Sequence, residues 1–145
     1  MRVLSIDHGG RRIGLAVSDP LGLTVRPVAT VDRRKDRDPV GTIVALVKEL
    51  EATGVLLGIP IEPGGALGES AERVLKFKGR LLDRLRGEGV DVPLFEADEA
   101  YTTTEAHARL KARGVAPLDR KTVIDQEAAA VLLEGWLRDN PPPPL

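Results

Sequence analysis

The sequence predicts a layered α/β domain built on a five-stranded mixed sheet with helices packed against it. Three observations carry that reading. Three strand-like segments precede any helical period, later strands alternate with helical segments, and one strand is apolar throughout, as a strand covered on both faces must be. The chain has 145 residues, 42% of them apolar and 30% charged, which is the size of one domain and enough to bury a core. Residues 1–138 are read as that domain and 139–145 as a proline-rich tail.

Arg2 to Asp7 is rich in strand formers, and His8, Gly9 and Gly10 read as a tight turn into a second strand, Ile13 to Ser18. Asp19, Pro20 and Gly22 mark the next turn, before a third strand around Thr24 to Val31; short hairpin links make these three antiparallel. Val40, Ile43, Val44, Val47 and Leu50 then follow the helical period, behind Asp38 as N-cap and Pro39 at the first helical position. Val55 to Gly58 is the apolar central strand, bounded by Gly54 and Pro60.

A loop containing Gly64, Gly65 and Gly68 leads into a helix over Glu69 to Arg86, with Ala71, Val74, Leu75, Leu81, Leu82 and Leu85 on one side. Val92 to Glu96 is the fifth strand. Thr102 and Glu105 have capping-box spacing for a helix reaching about Arg113, Gly114 and Pro117 break it, and a last helix spans Thr122 to Leu137. Right-handed crossovers set the fourth and fifth strands parallel to the first, so the ends of strands one, four and five meet at one edge. A site is expected there.

Composition excludes several chemistries. There is no cysteine, which removes disulfides, thiolate nucleophiles and Cys-based zinc sites, and two histidines cannot build a zinc triad. No apolar run reaches membrane-spanning length, and Asp7 interrupts any signal-peptide core, so a cytoplasmic protein is expected. Basic and acidic residues balance at 21 and 22, yet the basic ones cluster: Arg11 and Arg12; Arg33, Arg34, Lys35 and Arg37; Arg109, Lys111, Arg113, Arg120 and Lys121. Such groups suit phosphate contacts, and equally suit an ordinary solvated surface. With aromatics at 3%, backbone contact is expected over base stacking.

Three carboxylate positions stand out. Asp7 closes the first strand, Asp98 and Glu99 follow the fifth, and Asp125 falls on the inward stripe of the last helix with Ala128, Ala129, Leu132 and Trp136. Each alone has a structural explanation: a turn residue, a solvated pair, a first-turn acid favoured by the helix dipole. Gathered at one sheet edge they make an oxygen-only set suited to Mg²⁺ or Mn²⁺. His8 alternates away from Asp7 and reads as a packing or turn residue, and His107 as surface.

These residues come in four ordered motifs: Asp7, His8, Gly9 with Arg12 to Val17; Gly58, Ile59, Pro60; Asp98, Glu99 with Thr103, Glu105 and Ala106; and Lys121 with Asp125, Ala128 and Ala129. Across nearly the whole chain the pattern resembles the bacterial YqgF/RuvX family, described as Holliday junction resolvases and as pre-16S rRNA nucleases. The resemblance implies a ribonuclease H-like three-layer fold with helices on both faces of the sheet. It also implies metal-dependent hydrolysis of nucleic-acid phosphodiester bonds, with Asp7, Glu99 and Asp125 as the catalytic, metal-binding acids. Asp7 would bridge two ions, and Asp98 would support them from outside. Arg12 and Lys121 are the candidate nucleic-acid contacts.

The chain departs from the family pattern at Ala100 in place of arginine, Glu62 in place of asparagine, and Gly10 in place of threonine. None of these touches the triad. Expected partners are an rRNA precursor or branched DNA. A four-way junction has two symmetric scissile strands and calls for a homodimer, whereas trimming an rRNA precursor is compatible with a monomer. Two other functions compete: an ATP-binding protein of the sugar kinase and actin group, and a non-catalytic nucleic-acid-binding or ribosome-assembly factor. Nucleotide affinity without cleavage would mark the first, and retained function in an Asp7→Asn protein the second.

Overall fold

The computed structural model describes residues 1–61, 68–100 and 102–141. Glu62, Gly64, Gly65 and the tail beyond Pro141 lie outside the described residues. The element order is β1 (Val3–His8), β2 (Arg12–Ser18), β3 (Val25–Asp32), α1 (Pro39–Glu49), β4 (Gly54–Ile59), α2 (Glu69–Gly87), β5 (Leu94–Asp98), α3 (Thr102–Ala112), a short 3-10 helix (Pro117–Thr122) and α4 (Ile124–Asp139). The strands form one sheet in the order β3-β2-β1-β4-β5. As expected, β1 to β3 are antiparallel neighbours, whereas β4 pairs in parallel with β1 and β5 in parallel with β4.

Alternation along the central strands divides the core between the two faces. Leu4, Ile6 and Leu57 pack with Val44 of α1 and Leu81 of α2, while Val3 and Leu56 face Leu132 and Leu133 of α4. All six residues of β4 are buried, so this strand is held from both sides, and truncating Leu56 or Leu57 to alanine would cost about 2–5 kcal/mol. Helix α3 packs on α4 and away from the sheet. No helix among the described residues is long and apolar enough to cross a membrane.

Local signals account for most boundaries. The Asp38 carboxylate accepts from the Gly41 amide and caps α1, with Pro39 behind it as expected. Arg84 of α2 grips the same carboxylate at 2.9 Å and ties the two helices together. Three expectations need correction. Strand β5 runs Leu94–Asp98 instead of Val92–Glu96, because Pro93 has no amide to donate and the ladder starts after it. On α2 the buried row uses Phe77 in place of Leu75, which is exposed, and Leu82 is only half-buried. Thr102 begins α3, but its hydroxyl donates backwards to the Glu99 carbonyl at 3.0 Å instead of forming a capping box.

Candidate active site

Parallel pairing of β1, β4 and β5 brings Asp7, Ile59 and Asp98 to the same end of the sheet, and the chain leaving β5 there carries Glu99. The Glu99 amide donates to the Ile59 carbonyl at 3.2 Å, which anchors the residue beside the end of β4. Its side chain turns in over Gly58. A Cβ at Gly58 would lie 2.8 Å from both Glu99 Oε2 and Leu132 Cδ2, so the absent side chain is what gives the carboxylate its space.

Helix α4 comes close for a similar reason. A Cβ at Gly14 of β2 would overlap the Asp125 backbone carbonyl, so only glycine lets the first turn of α4 rest on the sheet. Ala129, fully buried, continues that close approach, and the Ser5 hydroxyl donates to its carbonyl at 2.9 Å. The structure thus brings Asp7, Glu99 and Asp125 to one corner from three distant segments.

The electrostatics of the three acids differ. Burial, with Asp7 and Asp98 close by, pushes the Glu99 carboxyl up to about 9. Burial raises Asp7 too; a hydrogen bond from Glu99 works against this, and the negative charge of Asp125 adds to it. When both groups are ionised, Glu99 Oε2 is a buried oxygen with no hydrogen-bond partner. When Glu99 holds a proton it donates to Asp7. Asp125 is held differently, by an ion pair at 2.8 Å from Arg12 Nε.

These donors fit a hard divalent cation. An orphaned carboxylate oxygen and two carboxyls raised mainly by burial both call for positive charge, and the set is all oxygen. Asp7 and Glu99 are the pair that would hold it, with Asp125 adjacent and engaged by Arg12. Among the described residues, no three histidine, aspartate or glutamate side chains stand ready-arranged as a metal cage.

The other sequence candidates have different surroundings. Asp98 spends its Oδ1 on the Ala100 amide at 2.9 Å, a turn contact. Lys121 is exposed at the end of the 3-10 helix. His8, one residue beyond Asp7, points to the opposite face and packs on Phe77 with ring centroids 4.6 Å apart. Burial, with Arg33, Arg73 and Arg80 nearby, lowers its imidazole to about 4. Sequence reasoning placed Gly14 and Gly58 within motifs without giving them a role, and did not single out Arg73 or Arg80. A glycine inside an otherwise apolar strand was the available signal for the first two.

Comparison with known proteins agrees with this architecture. The profile of the RuvX family, described as Holliday junction resolvase, matches residues 1–139. A relative from Anaeromyxobacter dehalogenans (strain 2CP-C), named "Putative pre-16S rRNA nuclease", is 42% identical over 142 residues, covering 98% of this chain and all of that protein. One of the same name from Syntrophus aciditrophicus is 37% identical, covering 94% and 88%. Among solved structures, T. thermophilus RuvC in complex with Holliday junction substrate superposes with a TM-score of 0.58 at 20% identity, covering 97% of this chain and 96% of that one. The fowlpox virus Holliday junction resolvase superposes at 0.55 with 11% identity, covering 97% and 99%. These likenesses establish the ribonuclease H-like fold. With a family profile spanning the sheet, the acid corner and α4, the chain belongs to the RuvX Holliday junction resolvase family.

Proposed function

We propose that this protein is a metal-dependent nuclease that hydrolyses phosphodiester bonds in nucleic acid, acting on the ends of pre-16S rRNA or on Holliday junctions. The observation that carries the reading is the buried, unpartnered Glu99 Oε2 beside Asp7, two acids that have no ion-pair partner among the described residues. Evolutionary likeness supports the polymer: relatives are named for pre-16S rRNA, and the family for junctions. Asp7 and Glu99 would hold Mg²⁺ or Mn²⁺ together with Asp125. The chemistry such an ion supplies when bound is activation of water and neutralisation of charge at phosphorus.

The chain's own residues do the rest. Asp7 and Glu99 sit on a strand end and the turn after a strand, so the sheet fixes their separation. Arg12 orients Asp125, and its guanidinium stands beside that acid, where it could pass to a substrate phosphate. Leu132 and Ala129 close the α4 side against water.

The direct test offers single-stranded RNA, an rRNA precursor and branched DNA side by side with Mg²⁺ or Mn²⁺. Cleavage of one of them, abolished by EDTA, is expected. Asp7→Asn should lower it by about 10³-fold or more, equivalent to roughly 4 kcal/mol of barrier, with the fold retained. A second reading, a non-catalytic binding or assembly factor, is favoured by the Arg12 to Asp125 ion pair, which occupies one of the three acids. Under that reading Asp7→Asn leaves function unchanged.

A further inference from the structure

On the far side of the sheet end from the acids lies a cluster of arginines that the proposed chemistry does not use. Arg33 Nη1 donates to the Gly10 carbonyl at 2.6 Å, which places its guanidinium against the β1 to β2 turn. Arg73 of α2 reaches the same turn: its Nη1 lies 3.9 Å from where a Gly10 Cβ would be. Arg80 is two helical turns further along α2, about 10 Å along its axis, and its charge is felt at His8 together with those of Arg33 and Arg73.

Several of the protein's other arginines are neutralised by acids. Arg109 pairs with Glu105 and Glu134, Arg113 with Glu127, Arg11 with Asp32 and Arg12 with Asp125. Among the described residues, Arg33, Arg73 and Arg80 have no carboxylate within ion-pair distance. Three guanidinium groups gathered without counterions repel one another, and an external anion relieves that repulsion.

We propose that Arg33, Arg73 and Arg80 form a phosphate track that receives a single nucleic-acid strand as it leaves the Asp7 and Glu99 corner over the Gly9 and Gly10 turn. The track rests on the nuclease reading for its starting point. Asp7 and His8 are consecutive and face opposite sides of the sheet, so a strand reaching both regions must bend sharply round the turn. Neither glycine puts a side chain of its own into that path. A duplex, with a persistence length of about 50 nm, does not follow such a bend, whereas a single strand does. The guanidinium groups read phosphate and not sugar, so RNA and DNA strands engage alike.

The test uses the full chain with Asp7→Asn, so that bound strands stay intact. Anisotropy titrations over a series of NaCl concentrations compare labelled single-stranded RNA, single-stranded DNA and a duplex, each about 15 nucleotides long. Adding Arg33→Gln, Arg73→Gln and Arg80→Gln together should weaken single-strand binding by about tenfold or more at low salt. The dependence of log K on log salt should become shallower by about 2, roughly 0.7 for each phosphate that is no longer neutralised. Arg80→Gln alone, at an exposed position, should lower the slope by about 0.7, and Arg86→Gln, remote from the turn, should change neither quantity.

An unchanged slope in the triple variant, a loss confined to RNA or to DNA, equal affinity for the duplex, or no strand binding by the Asp7→Asn parent would each overturn the track. The nuclease reading fails separately, if the Asp7→Asn protein still cleaves.

Discussion

The two faces of the sheet end differ in sign although they are one residue apart. On the α4 face, Asp7, Glu99 and Asp125 crowd together; on the α2 face, His8 is ringed by Arg33, Arg73 and Arg80. The period of two along β1 makes this possible, sending consecutive side chains to opposite sides. A thin sheet can therefore keep an acid pocket and a basic surface a few ångströms apart without neutralising either by direct contact.

The harshest way to break the acid face is to push α4 off it. Gly14→Val places a branched side chain where the Asp125 backbone lies, and a loss of about 4 kcal/mol in urea-unfolding stability is expected, with cleavage lost as well. Because the arginines lie across the sheet, any folded fraction should keep binding single strands.

Next in size is the charge stored in Glu99. Its folded carboxyl titrates near 9, above the ordinary 4.5, so the folded state holds a proton that the unfolded chain has already released. Stability from this group is full below about pH 4.5 and declines as pH rises toward 9. In EDTA, Glu99→Gln should raise stability at pH 8.5 by about 3 kcal/mol relative to its effect at pH 4. Added Mg²⁺ should narrow that difference, since only the parent carboxylate gains from it, and its stabilising effect on the parent should grow with pH. Thermal melts at the two pH values check both statements.

The opposite face has the opposite sign. His8 titrates near 4 when folded and near 6.5 when unfolded, so the unfolded chain takes up the proton first as the medium is acidified. Stability from this residue is intact above about pH 6.5 and is lost progressively toward pH 4, by about 2 kcal/mol. His8→Gln should flatten that part of the stability profile in urea melts between pH 4 and 7. The smallest expected effect is that of Arg12→Gln, because its pair with Asp125 is partly solvated: less than about 1 kcal/mol of stability. A larger loss would show that the ion pair, and not Gly14, seats α4.

Much of the fold is legible in the sequence because its signals are local. The apolar run of β4, the Asp38 cap with Pro39, and the glycine turn after β1 each act within a few residues. The convergence of strand ends follows from topology rules, which is why Asp7 and the Asp98 and Glu99 pair could be placed at one edge. What stays hidden is long-range. Arg12 reads equally as a phosphate contact or a salt-bridge partner, and only folding shows that its acid is Asp125, 113 positions away. Leu75 and Phe77 both fit an amphipathic helix, and the shape of the core decides between them. That Arg73 and Arg80 meet no carboxylate among the described residues is likewise invisible in a sequence whose charges sum to nearly zero.

The clasp between Arg12 and Asp125 joins the first hairpin to the final helix. Asp125 is made well over a hundred residues after Asp7, so the three acids cannot be assembled until α4 has docked on Gly14. The acid corner is therefore a product of tertiary docking and not of any one segment: a fragment lacking either the first hairpin or α4 holds no such corner.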